Sequence, residues 1–482
     1  MIDLRPIVYV VGRILIVLAI LMLGPAMIDY RAGLLNGQDF LQSAVITGGV
    51  GILVSLATLN GTGQGLNARQ AYLLTLSIWT VVPLFGALPF ILGDPHLPFV
   101  DAYFEAVSGI TTTGATMISG LQDLPDGMNL WRGMLNWLGG LGIAFIAMIF
   151  LPVMRVGGMQ FFRTEGFDTF GKALPRATDI ALQLLLVYAG LTAICAATYA
   201  GIGMTALDAV AHAMSSISTG GFSPRDSSFT AYAGAGEYAG AFFMVIASLP
   251  YVRYVQLVNG YAGPLWRDPQ VWGYLRIILA GVGMVTIWRV ISSDQGVEPA
   301  FREALFNLVS ITSGTGFGSG SFSGWGGFAL VIAFVMGMIG GCSGSSSAGL
   351  SVFRVQITWE ALLAQMRRIN TPNRISPVKY GGRTVDNDVL GALMAYVTAF
   401  VFTLGVLSVA FTLTGVDMIS SLFAAWATLG NIGYTIGPFQ SATGTYREFP
   451  EAVKWMMIVA MLMGRLGLLS LFVIVLPRFW QR

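Results

Sequence analysis

Four glycines, Gly114, Gly221, Gly316 and Gly433, each stand thirteen residues into a segment that aligns without a gap with the other three. The segments begin at Asp101, Asp208, Glu303 and Ser420 and run into the loops T-T-T-G-A-T, S-T-G-G-F-S, S-G-T-G-F-G and G-N-I-G-Y-T. Turning consecutive backbone carbonyls to one side needs positive φ, which glycine adopts at no steric cost. A ring of such carbonyls can replace the water shell of a dehydrated cation such as potassium. The candidate ligands are therefore Thr112, Thr113, Gly114, Thr219, Gly220, Gly221, Gly314, Thr315, Gly316, Asn431, Ile432 and Gly433. Glycines also let transmembrane helices pack closely, but four loops in register, each between two apolar runs, speak against packing alone. The run 314–320 has the look of a dinucleotide fingerprint, yet it follows no soluble strand and opens no βαβ unit.

Such loops need elements to hold them. Eight residues precede each loop in an amphipathic stretch, too short to cross a bilayer but suited to a helix that enters and returns. Non-helical backbone at membrane depth survives only where protein buries it or water lines it, so four re-entrant loops imply one shared aqueous axis. Apolar runs of membrane-crossing length flank every loop, at 71–92, 180–202, 271–291 and 389–413 before, and at 136–154, 239–258, from about 328, and 453–476 after. Two further runs, 7–28 and 40–59, form an N-terminal hairpin and bring the expected spans to ten. The expected fold is an all-α integral membrane protein with four in-line helix–pore-loop–helix repeats around one pseudo-fourfold pore. The expected units are the hairpin 1–66 and repeats 67–170, 171–265, 266–385 and 386–482.

Composition agrees. Of the 482 residues, 55% are hydrophobic and 10% charged, whereas a soluble domain carries about 25% charged residues. A net charge of +2 supplies no general field for nucleic acid. The charges are unevenly placed: four basic residues lie in 155–176, and six against the single carboxylate Glu360 in 354–383, which marks both segments as cytoplasmic. Cys195 and Cys342 fall inside apolar runs and read as free thiols. The N-terminal apolar run lacks an A-x-A cleavage site and reads as a span rather than a signal. Two separate histidines, no H-E-x-x-H and no paired nucleophile and base leave an intramembrane enzyme without machinery.

Two features interrupt the apolar pattern. Five glycines and five serines fall between Gly337 and Ser351, among them Gly340, Gly341, Gly344, Ser345, Ser346, Ser347 and Gly349. At about 1 kcal/mol of helix propensity per glycine, this stretch is either a tight packing face or an opened loop that plugs the inner pore. Arg465 is the thirteenth of the 24 residues in 453–476, roughly 17 Å from either end at 1.5 Å per residue and beyond snorkelling reach. It is either held by a structural ion pair or carbonyl contact inside the bundle or a charge on the ion path. Glu105 and His212 occupy equivalent places in two of the short helices, with Asn307 and Ala424 in the others, and suit hydrogen bonding or tuning of the cation field. His96 reads as loop, and Arg253 and Arg276 as snorkelling anchors.

The four loops, the segment G-G-C-S-G-S-S-S-A-G-L and the arginine in M-G-R-L-G resemble the Trk/Ktr/HKT superfamily of potassium transporters. The extra hairpin and the length are similar to its TrkH-type branch, the membrane subunit of bacterial Trk uptake systems. The resemblance implies potassium uptake across the bacterial inner membrane, with potassium transported and no organic cofactor. It implies a gate in the glycine-rich loop, a homodimer, and a TrkA-like nucleotide-binding cytosolic subunit, for which 155–176 and 354–383 are candidate docking surfaces. Serine in place of the first filter glycine goes with sodium permeation in that superfamily, so Gly114 points to potassium. The fourth loop, with Asn431 and Ile432, departs from the Thr-Gly pattern. The alternative is a proton- or sodium-coupled symporter, for which Asp101, Asp208, Glu105 and Glu303 are the nearest ionisable candidates.

Overall fold

The computed structural model describes residues 3–61, 67–145, 177–371, 376–434, 436–439 and 444–480. The expected basic segment 155–176 lies outside them.

The N-terminal helices Arg5–Arg31 and Asn36–Ala57 form the hairpin. They cross at Gly12 and Gly51, where a Cβ on either glycine would stand under 3 Å from the other's carbonyl oxygen (2.9 and 2.8 Å), so only glycine permits the approach. The hairpin is fastened to the rest by buried Asp29. Its carboxylate accepts from the Gly127 N–H at 2.7 Å, at the start of helix Asp126–Phe145, and from Asn36 Nδ2 at 2.6 Å. A carboxylate there also meets the positive end of the helix dipole.

Four repeats follow. Their first helices are Ala68–Gly86, Ala177–Gly201, Pro269–Ser292 and Asn387–Thr412, and their short re-entrant helices are Phe99–Ile110, Ala206–Ser218, Val297–Ser313 and Met418–Leu429. The second helix of each repeat packs on the re-entrant helix of the next. Asn136 of repeat one donates to Ser215 of repeat two at 3.2 Å. Gly240 of repeat two lies against the Phe306 ring of repeat three. Phe334 of repeat three stacks on Trp426 of repeat four at 5.3 Å. Lys454 of repeat four pairs with Asp101 of repeat one at 2.7 Å, which closes the circle.

The radial distribution of side chains inverts that of a soluble protein. Large apolar residues such as Leu186, Leu279 and Phe402 are exposed on the outside, while Glu105, Ser108, His212 and Asn307 are fully buried around the axis. That arrangement suits a hydrocarbon solvent outside and a hydrated path inside.

Among the described residues, six helices are long and apolar enough to cross a membrane, or seven if the pair Ala235–Ala247 and Tyr251–Val258, bent by 89°, counts as one. The difference from ten lies in the second helices, three of which are interrupted. The break at 248–250 was not anticipated; Pro250 has no N–H to continue the ladder. In repeat three, Gly327–Ile339 ends at Gly340 and the chain becomes helical again at Val352–Asn370. The expected continuous span 453–476 is two helices, Glu451–Leu466 and Leu468–Val475, parted at Gly467 with φ 77°. The end of the basic segment 354–383 enters a two-stranded antiparallel ladder, Lys379–Tyr380 with Arg383–Thr384. Cys195 and Cys342 are free and buried.

Candidate ion pathway

Each re-entrant helix ends where its loop begins, so four helix C-termini converge with the negative ends of their dipoles. The chain then leaves the helix in the same way four times. The N–H groups of Thr113, Gly220, Thr315 and Ile432 donate to Ser108, Ser215, Ser310 and Ala427 five residues back, each at 2.8 Å.

Backbone angles explain what this exit achieves. The glycines have φ of 80° (Gly114), 77° (Gly221), 80° (Gly316) and 70° (Gly433). Two residues earlier φ is also positive: 52° at Thr112, 51° at Thr219, 79° at Gly314 and 50° at Asn431, while the residue between is not left-handed. Alternation of the two hands along a strand turns successive carbonyls to one side, the geometry a ring of cation ligands requires. Only the third loop spends a glycine at both positions. Thr112, Thr219 and Asn431 are held left-handed by their surroundings at a cost of about 1–2 kcal/mol each.

The four loops face one another in cyclic order. A Cβ added to Gly114 would stand 2.5 Å from the Gly220 carbonyl oxygen. One on Gly221 would collide with the Thr315 carbonyl, one on Gly316 with that of Ile432, and one on Gly433 with that of Thr113. Each glycine thus abuts the carbonyl just before the glycine of the next repeat, and the fourth returns to the first. A cavity of about 500 Å³ opens over this ring, and all four glycines line it.

The irregular fourth loop finds its explanation here. Asn431 Nδ2 donates to Thr113 Oγ1 and to the Met461 carbonyl, both at 2.9 Å, so its side chain ties repeat four to repeat one. The ionisable residues around the ring are all engaged. Glu105 pairs with Arg132 at 2.9 Å, both buried, and Arg132 reaches on to the Ser223 carbonyl at 2.7 Å. Asp208 pairs with Arg225 at 2.6 Å, and Glu303 accepts from the Ser321 N–H. Arg253, expected to snorkel, pairs with Asp268 at 2.8 Å. Arg132 and Lys454 were missed in the sequence, although a charge in or beside an apolar span is itself a signal.

Residues 340–351 form a loop on the side of the ring opposite the cavity. The break at 248–250 supplies its anchorage: the carbonyls of Ser248 and Ala247 accept from the N–H groups of Cys342 (3.1 Å) and Ser346 (3.4 Å), and Tyr251 N–H donates to Gly344 at 2.9 Å. Ser346 Oγ reaches the Ile217 carbonyl at 3.0 Å and Ser347 Oγ the Ser313 carbonyl at 2.5 Å, both at re-entrant helix ends. Arg465, in the last turn before Gly467, donates through Nη2 to the Ser346 carbonyl at 2.7 Å and to Thr112 Oγ1. It therefore touches the glycine-rich loop and the ring at once. No carboxylate among the described residues pairs with it; its contact inside the bundle is the Ser346 carbonyl. Of the basic residues in 354–383, Arg354 is turned inward over the Tyr396 ring at 4.1 Å, while Arg367 and Arg368 are exposed.

Four pseudo-equivalent repeats, four loops of alternating backbone hand abutting in a ring and an apolar exterior define a multi-pass membrane protein built around a cation pathway. The chain belongs to the family described as TrkH, cation transport protein, whose model matches residues 37–257 and 286–482. It is 38% identical over 422 residues to the Trk system potassium uptake protein TrkI of Halomonas elongata, covering 86% of this chain and 85% of that one. It is 33% identical to the TrkH protein of the same organism over 488 residues and the full length of both. The crystal structure of the potassium transporter TrkH from Vibrio parahaemolyticus superimposes with a TM-score of 0.91 at 29% identity, covering 100% of both chains.

Proposed function

We infer that this chain takes up potassium across the bacterial inner membrane through a ring of backbone carbonyls contributed by residues 112–114, 219–221, 314–316 and 431–433. The observation that carries this reading is the alternation of backbone hand in all four loops, closed into a circle by the abutment of each glycine on the next repeat. Purified protein in liposomes should pass potassium in preference to sodium, with a reversal potential set by the potassium gradient and unmoved by pH. A reversal potential that follows pH or the sodium gradient would establish symport instead. Among the described residues the four candidates for coupling, Asp101, Asp208, Glu105 and Glu303, are each bound by a neighbour, which supports the uncoupled reading.

The four units 67–170, 171–265, 266–385 and 386–482 act as quarters of one pore, with 1–66 outside the repeat scheme. Residues 340–351 are its plug, with Gly340, Gly341, Gly344, Ser345, Ser346, Ser347 and Gly349 giving it freedom to move and Arg465 latching it. A TrkA-like nucleotide-binding subunit pulls on the plug from the cytosol, using Arg367 and Arg368 as part of its footing, and the working unit is a homodimer. Deleting residues 344–347 removes the bonds to Tyr251, Ile217 and Ser313 together. Partner-independent potassium flux per folded molecule is expected to rise by roughly tenfold, which corresponds to about 1.4 kcal/mol of barrier. Unchanged flux together with a lowered Tm would mark the loop as packing only.

A further inference from the structure

The fourth quarter of the ring is held unlike the other three. In repeats one to three, the fifth residue of the aligned segment fastens the chain just beyond its own glycine. Glu105 accepts from the Met117 N–H at 2.7 Å, His212 Nε2 meets Ser223 Oγ at 3.0 Å, and Asn307 brackets Ser319 with bonds of 2.9 and 3.1 Å. In repeat four that residue is Ala424, which has no polar atom to offer. Tyr446, from the chain between the fourth loop and the last helix, stands in. Its hydroxyl donates to the Gly433 carbonyl at 3.0 Å, and its N–H donates to the Thr116 carbonyl of repeat one at 2.9 Å. The ring is fully buried between Phe104 at 5.8 Å and Phe449 at 5.7 Å. Among the described residues no side chain bonds the equivalent carbonyls of Gly114, Gly221 or Gly316.

We propose that Tyr446 is a positioning residue for ion selectivity, its hydroxyl tethering the outermost carbonyl of the fourth quarter against collapse onto a small cation. This rests on the reading of the loops as an ion filter. A carbonyl oxygen keeps a second lone pair when it accepts one hydrogen bond, so the Gly433 oxygen, in a residue that lines the cavity, retains capacity to meet an ion. What it loses is the freedom to follow an ion inward. Sodium is smaller than potassium and needs the ring to contract, and one tethered member resists that contraction while leaving the wider potassium geometry unaltered.

The test is Tyr446→Phe, which keeps the aromatic packing and removes only the hydroxyl. In liposomes, the potassium-to-sodium permeability ratio is expected to fall by about fivefold, the effect of one ordinary neutral hydrogen bond, with potassium flux and Tm near wild type. Phe449→Leu is the control: it loosens the same pocket without touching the hydroxyl, so Tm should fall and the ratio should stay. An unchanged ratio in Tyr446→Phe, or an equal fall in Phe449→Leu, would overturn the tether. A wild-type protein that does not distinguish the two ions would overturn the filter reading itself, and the proposal with it.

Discussion

Arg465→Ala is expected to raise basal potassium flux per folded molecule by up to about a hundredfold. A cation about 5 Å from the guanidinium meets roughly 3 kcal/mol of repulsion at an effective dielectric of 20. The same side chain holds the Ser346 carbonyl at 2.7 Å and bonds Thr112, so the substitution frees the loop as well as clearing the charge. Both effects act in one direction. Flux and thermal stability must be read on the same preparation, because Arg465 is also a bond donor inside the bundle. A destabilised variant with unchanged flux per molecule would reduce Arg465 to a structural role. Arg465→Lys separates the two contributions: the positive charge and most of the barrier stay, while the Nη2 position that reaches both Ser346 and Thr112 is lost.

Gly114→Ser is expected to let sodium compete, lowering the potassium-to-sodium permeability ratio by about tenfold, equivalent to about 1.4 kcal/mol. At φ 80° a side chain is strained, and its Cβ would stand 2.5 Å from the Gly220 carbonyl oxygen, one of the candidate ligands. Part of the strain is relieved by displacing that carbonyl, which opens the first and second quarters of the ring unequally. Permeability ratios from bi-ionic reversal potentials give the result directly. A folded variant with the wild-type ratio would remove Gly114 from the filter.

The positions of these residues were legible to different degrees. Gly114, Gly221, Gly316 and Gly433 could be found from residue type and spacing, because a positive φ is a local demand and glycine is the residue that meets it cheaply. The break after Gly340 was legible for the same reason, as a density of poor helix formers. The break at Gly467 was not, since two glycines, Gly464 and Gly467, in an apolar run of 24 residues leave a helix affordable and do not say at which of them it parts. Arg465 stood out by its charge, but its partners, the Ser346 carbonyl and Thr112, lie in segments far from it along the chain.

Sequence by itself determined the membrane setting, the four-fold repeat, the direction in which each loop turns back and the hand of its glycine. All of these depend on residues near one another along the chain: hydropathy over a span, a fixed spacing, the conformational freedom of one residue type. Tertiary structure alone decided what joins distant segments. It holds Thr112, Thr219 and Asn431 left-handed without glycine, and it engages Asp101 with Lys454 across 353 positions. It seats residues 340–351 on carbonyls freed by the break at Pro250, and brings Tyr446 to the Gly433 carbonyl in the one quarter where Ala424 offers nothing. A hydrogen bond or ion pair between such segments depends on distance in space, and no local pattern of residue types encodes that distance.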